Sequence, residues 1–385
     1  MKNTVQPLLQ EYQIDDLKLK NRVVMASLTR GRATNAGLIP TALMAEYYAQ
    51  RASAGLILSE GTWVNSQSIG FSNVPGIYTQ EQIEGWKLVT KAVHDNGGLI
   101  FLQLGHIGSA SHPDFFNGEQ PAGPSAINPQ TRSFTPEGFK DSVTPRELTV
   151  AEIKETVQDY KQAAKNAKLA GFDGIEVHAQ VGMLIPQFLS MATNKRTDEY
   201  GGSIENRARI VFEILDAIME VWKSTHIAIK FTPAALSHVG IMIPDVETIP
   251  LFKYILKRLN EYNLAYLHIV APSEDLTGTA VEVLQDNYFS HFRKNYSGRL
   301  MVNSGFTQES GNAILNEGTA DLVSFGAPFI ANPDLAERFK HNLPLAESHP
   351  ETYYTGGESG YTDYPKAIHD GTMVQSEYLV PKNTY

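Results

Sequence analysis

The sequence predicts an α/β fold: a single (β/α)8 barrel, the TIM architecture, spanning residues 1–385 as one domain with a lid inserted after strand three. Three observations predict it. Eight short apolar or β-branched runs recur along the chain, and a plausible helix follows each. Most runs are continuously apolar rather than alternating, the signature of parallel strands covered on their outer face. Eight such units in one chain of this length imply a closed barrel.

In order, the runs are NRVVMAS (21–27), GLILSEGT (55–62), GLIFLQLGH (98–106), GFDGIEVHA (171–179), IAIKFTP (227–233), YLHIV (266–270), RLMVNSG (299–305) and DLVSFGA (321–327). Between the third and fourth lies TVAEIKETVQDYKQAAKNAKLAG (149–171), where Thr149 reads as an N-cap and Gly171 as the stop. After the fourth, SIENRARIVFEILDAIMEVWK (203–223) starts a helix with Ser203 and Asn206 in its first turn. Residues 109–145 are rich in Gly, Pro, Ser and Asn and lack helical periodicity, so they read as a lid over the barrel mouth. The segment ETYYTGGESGYTDYP (351–365) is aromatic, which predicts packing on the barrel rather than disorder.

Composition narrows the partners. The formal net charge of −10 argues against nucleic acid and anionic membranes, leaving a small-molecule substrate. No apolar run approaches the ~18 residues of a membrane span, and the N-terminus carries no signal-peptide core. With no cysteine there is neither a disulfide nor a thiolate metal site, and no metal is expected. A cytoplasmic location fits that composition.

In barrels of this type the chemistry sits where the strands end. That rule selects Ser27, Leu28 and Thr29 after strand one, Gly61 and Thr62 after strand two, and Gln103, Gly105 and His106 on strand three. It adds His178 on strand four, Lys230 and Thr232 on strand five, Ser304 and Gly305 after strand seven, and Gly326 and Ala327 after strand eight.

Together with NRVVMASLTRGRA, EYYAQRASAGLILSEGT, FLQLGHIGSASH, HAQVGMLIPQFLSMATNKRTDEYGGSIENRAR, FGAPFIANPDL and GYTDYP, in that order, these residues make the chain resemble the old yellow enzymes, FMN-dependent ene-reductases. The resemblance runs from about Leu8 to Pro365. It implies FMN as cofactor and NAD(P)H as reductant. It places Ser27, Leu28, Thr29, Gly61, Gln103 and Lys230 around the flavin ring, and the amides of Ser304, Gly305, Gly326 and Ala327 on its phosphate. Phe71, Gly105, Val181 and Met183 are expected to line the substrate pocket, and His178 to bind the substrate oxygen.

Several matching positions depart from the pattern. Lys230 stands for an arginine, keeping the charge but losing the planar fork. Ala327 stands for a phosphate-binding arginine, and Gly105 for a tryptophan, which would open space or free the backbone. Val181 replaces the second oxygen donor, and Met183 the tyrosine that protonates the substrate carbon; methionine has no proton to give. The expected chemistry is therefore that of an FMN oxidoreductase acting on an α,β-unsaturated carbonyl or related conjugated substrate. Its proton would come from water, His106 or a mouth-loop tyrosine, and loss of the tyrosine favours double-bond isomerisation. The alternative is a flavin-free, non-redox isomerase or cyclase on the same barrel; a third reading is an inactive binding scaffold.

Overall fold

The computed structural model describes residues 6–236, 240–369 and 372–373. Eight parallel strands close into one barrel: β1 (Val23–Met25), β2 (Leu56–Trp63), β3 (Ile100–Gly105), β4 (Gly174–Ala179), β5 (Ile227–Phe231), β6 (Tyr266–Val270), β7 (Leu300–Asn303) and β8 (Leu322–Phe325). Each falls on one of the eight runs, and only β2 overruns its run, by the single residue Trp63. Closure comes from β8, whose Val323 and Phe325 pair with Val23 and Met25 of β1.

The strands are buried on both faces, which is why they read as continuous apolar runs. Their outward side chains meet a ring of helices. The helix Val150–Leu169 starts in a capping box between Thr149 and Glu152, and Gly171 follows its end at φ +84°. The helix Ile204–Met219 is capped by Ser203, whose side chain accepts from the Asn206 amide. At the N-terminal end of the barrel a hairpin, Tyr12–Ile14 with Leu17–Leu19, packs Ile14, Leu17 and Leu19 against Leu56, Phe101 and Met301. That plug was not foreseen, because its strands are too short to show a period.

The opposite end receives two further segments. Within 109–145, Arg132–Thr135 pairs with Gly138–Asp141 as a hairpin, and Phe134 bridges to Phe71 in the loop after β2. The stretch read as irregular thus contains a hairpin. Residues 351–365 pack as predicted: Tyr361 is fully buried and stacks on Tyr47 with ring centroids 4.0 Å apart. Arg30 and Arg32, just beyond β1, donate to the carbonyls of Thr352, Tyr353, Gly357, Ser359 and Gly360. Among the described residues no helix is long and apolar enough to cross a membrane.

Candidate active site

The inward side chains near the strand ends form a continuous polar layer inside an otherwise apolar barrel. Ser27 Oγ donates to Gln103 Oε1 at 2.6 Å, and Gln103 Nε2 donates to Glu176 Oε1 at 2.7 Å. The other carboxylate oxygen of Glu176 pairs with His268 Nδ1 at 2.8 Å, and His268 Nε2 meets Ser324 Oγ at 2.8 Å. Asn303 Nδ2 donates to the same hydroxyl at 2.8 Å. Gln103, Glu176, His268 and Ser324 are buried, and every link is satisfied, which a polar layer in low dielectric requires. Burial opposes charge on Glu176, but His268, Lys230 and Gln103 outweigh it and hold its pKa below the usual value.

Glu176 was missed by the search at strand ends because it sits one layer deeper than His178, and His268 because no residue of β6 was selected. A partial signal existed: each is a polar residue in a largely apolar strand, and Glu176 stands two before His178, on the same face.

His268 of this layer is also in register with Lys230 and, one strand further, with His178. Lys230 is buried, which lowers its pKa, while Glu176 acts against that shift as its counter-charge. Burial and then the Lys230 charge push the His178 pKa down to about 3, so its imidazole is neutral. A bulge between Leu58 and Gly61 brings Gly61 opposite Gln103, and β2 thereby presents a bare backbone to the mouth. A Cβ added at Gly61 would meet only His178 Nδ1 at 3.4 Å and Gln103 Oε1 at 3.5 Å. Ser27, Leu28 and Thr29 are half-buried beside it.

Gly305 holds φ +58° with open space where a side chain would stand, and beside Gly326 only Leu28 approaches, at 3.5 Å. The backbone after β7 and after β8 is thus open at these two glycines. A bare backbone at Gly61, the buried Lys230 cation and the open backbone at Gly305 and Gly326 are compatible with FMN.

Three expected neighbours of His178 stand differently. Gly105 opens no room, because the Met183 ε-methyl fills it 2.9 Å from where its Cβ would be; nor is its φ positive. Met183 is buried and packs with Trp63, Val74, Ile69, Phe71 and Ile107, so Phe71 and Met183 share one apolar wall. Val181 is not part of that wall: it lines a separate narrow recess with Leu189, Phe231, Met242 and Phe252.

His106 also departs from expectation. Alternation along β3 and its continuation turns it away from Gly105's side, and its Nδ1 accepts from the Gly108 amide at 3.0 Å. It lines a different cavity, with Asn65 and Asp159, and burial depresses its pKa to about 3. The structure does not bring it to His178 as a proton source. Gln180, which the sequence reading passed over, does reach His178: its Oε1 lies 3.1 Å from Nε2, and its Nε2 donates to Thr232 Oγ1 at 3.0 Å.

The family model for NADH:flavin oxidoreductase / NADH oxidase matches residues 7–346. A 12-oxophytodienoate reductase (number 7) of Oryza sativa subsp. japonica is 41% identical, over 93% of this chain and 94% of that protein. The flavin oxidoreductase hxnT of Emericella nidulans is 37% identical, over 94% and 98% respectively. Among solved structures, morphinone reductase in complex with tetrahydroNAD superposes with a TM-score of 0.87 at 41% identity, covering 94% of this chain and 98% of that one. The old yellow enzyme homologue of Zymomonas mobilis gives 0.87 at 39%, covering 93% and 99%.

Proposed function

This chain belongs to the NADH:flavin oxidoreductase / NADH oxidase family and is an FMN-dependent oxidoreductase of the old yellow enzyme kind, and from that premise we propose that it acts on conjugated carbonyl compounds with a reduced capacity to protonate them. The observation that carries this reading is that His178 and the Met183 thioether meet at Gly105, where a Cβ would lie 3.5 Å from His178 Nδ1 and 2.9 Å from the Met183 ε-methyl. Bound FMN would supply hydride, taken from NAD(P)H.

The chain's own groups would do the rest. Thr29 and Gln103 would hold the flavin ring over Gly61, and the Lys230 ammonium would offset negative charge at its pyrimidine edge. The amides of Ser304, Gly305, Gly326 and Ala327 would hold the phosphate without a guanidinium, so FMN would be bound more weakly than in relatives with an arginine there. Burial keeps His178 neutral, so its N–H would polarise a substrate carbonyl as a hydrogen-bond donor rather than as an acid. Phe71 and Met183 would present an apolar face, and the 109–145 segment would close over it as a lid of the same domain. With no side-chain acid at 183, water would deliver the carbon proton. Double-bond migration consumes no hydride: a γ-proton lost to water and an α-proton regained from it would leave the isomer, and this exchange would compete where net reduction is slow.

Absorbance of the purified protein and turnover of 2-cyclohexenone with NADH and NADPH test the reading together. Bound flavin with slow enone turnover supports it. A colourless protein that takes up no added FMN, or a flavoprotein reducing enones as fast as an enzyme with tyrosine at this position, overturns it.

A further inference from the structure

The missing second oxygen donor has a substitute on the same loop. Family members take it from the third residue after the strand-end histidine, and here that residue, Val181, faces the recess formed with Leu189 and Phe231. One position earlier stands Gln180, whose side-chain amide lies beside the His178 ring. Gly182, at φ +93°, gives this loop a turn that an ordinary L side chain resists.

The protonation of His178 follows from its surroundings. Its Nδ1 is buried without a hydrogen-bond partner, within ordinary contact distance of where Gly61 and Gly105 would carry side chains. A buried N–H with nothing to accept it costs more than a buried lone pair, so Nδ1 is bare and Nε2 carries the proton. Nε2–H then donates to Gln180 Oε1 at 3.1 Å, and Gln180 Nε2 donates to Thr232 Oγ1 at 3.0 Å. Gln180 thus places an amide carbonyl against the very N–H that a ligand oxygen needs.

We propose that Gln180 is the second oxygen-recognising side chain of this site, donating together with His178 to the carbonyl or phenolic oxygen of the ligand. The inference rests on the functional reading above. A ligand oxygen on His178 Nε2–H takes the place of Gln180 Oε1. The terminal amide torsion of glutamine is broad and two-fold, so the group can turn over where it stands. Its N–H then points to the ligand oxygen, and its Oε1 accepts from the Thr232 hydroxyl, which is both donor and acceptor. Every donor keeps an acceptor through the exchange. The substrate class so selected has one strong oxygen acceptor at the mouth, an enone carbonyl or a phenolate, and Thr232 positions the residue that reads it.

The test is calorimetric titration of the FMN-loaded protein with a series of para-substituted phenols of graded acidity. Two donors give a steeper dependence of affinity on phenol acidity than one. In Gln180→Leu, affinity for 4-chlorophenol should fall about ten- to hundredfold, as for loss of one hydrogen bond to a charged group. The dependence on acidity should flatten, while Gln180→His, which keeps a donor, should retain the steep one. Unchanged affinity, or a uniform loss with an unchanged slope, would show that Gln180 only packs against His178 and would overturn the proposal. If Gln180→Leu does not fold, Gln180→Met, unbranched and of similar length, carries the same comparison. Flavin content on the same samples separates the two readings. A wild type that takes up no flavin but binds phenols with the steep slope retains the role of Gln180 and sinks the functional reading.

Discussion

Gly105 and Met183 occupy one space between them: the methionine ε-methyl lies 2.9 Å from the point where residue 105 would carry its Cβ. A change of size at either position is therefore felt at the other. Gly105→Ala should be mild, because the end of a flexible thioether can shift by a few tenths of an ångström. Gly105→Trp should destabilise by about 1–3 kcal/mol through overpacking. Adding Met183→Ala should recover part of that loss, with a coupling of about 0.5–3 kcal/mol in a double-mutant cycle read by urea unfolding. Additive effects would mean that the two residues do not share that space.

Met183→Tyr should raise turnover of 2-cyclohexenone by about a hundredfold if the phenol reaches the substrate carbon, the lower end of what a positioned acid contributes. The ratio of isomerised to reduced product should fall at the same time. Val181→Asn should add little, because residue 181 faces the recess beside Phe231. Steady-state rates with product analysis check both statements.

Ala327→Arg should tighten FMN about ten- to hundredfold, the effect of one charge-assisted contact to phosphate. Fluorescence titration of deflavinated protein measures it. The gain should shrink as salt is raised, because residue 327 is exposed.

Acid should destabilise the fold partly through His106. Its pKa is depressed by burial from the ordinary 6.5 to about 3, so between those values the unfolded chain takes up a proton that the folded one refuses. Stability from this group is complete above pH 6.5 and is lost as pH falls towards 3. Burial raises Glu60 to about 7, which acts with the opposite sign between its ordinary 4.5 and 7. Comparison of wild type with His106→Gln at matched pH cancels the Glu60 contribution. The variant should lose less stability between pH 6.5 and 4.5; an equal loss would place the titrating group elsewhere.

The strands were legible because burial on both faces leaves an unbroken apolar run, and α-helix starts because Thr149 and Ser203 use local chemistry. The strand-end rule also brought His178, Gln103 and Lys230 to one mouth. It failed where side-chain direction mattered. His106 follows Gly105 directly and so faces the other way, and Gln180 rather than Val181 reaches the His178 ring, beside a turn at Gly182 that spacing alone does not reveal. The partners of Glu176 and His268 were hidden for another reason: a polar residue inside a barrel bonds to residues on other strands, and those pairings are set by the closed topology.

Arg30 and Arg32 donate to carbonyls between Thr352 and Gly360, and β1 finds one of its two neighbours only in β8. During synthesis the loop carrying Thr29 therefore emerges from the ribosome long before the partners that fix it. A nascent chain halted before residue 350 would hold this loop through Glu60 and Tyr47, without the carbonyls between Thr352 and Gly360 that take the Arg32 guanidinium and most of Arg30's donors. Flavin capture should thus mark chain release rather than translation of the barrel's first half, leaving the unfinished mouth to chaperones in the interval.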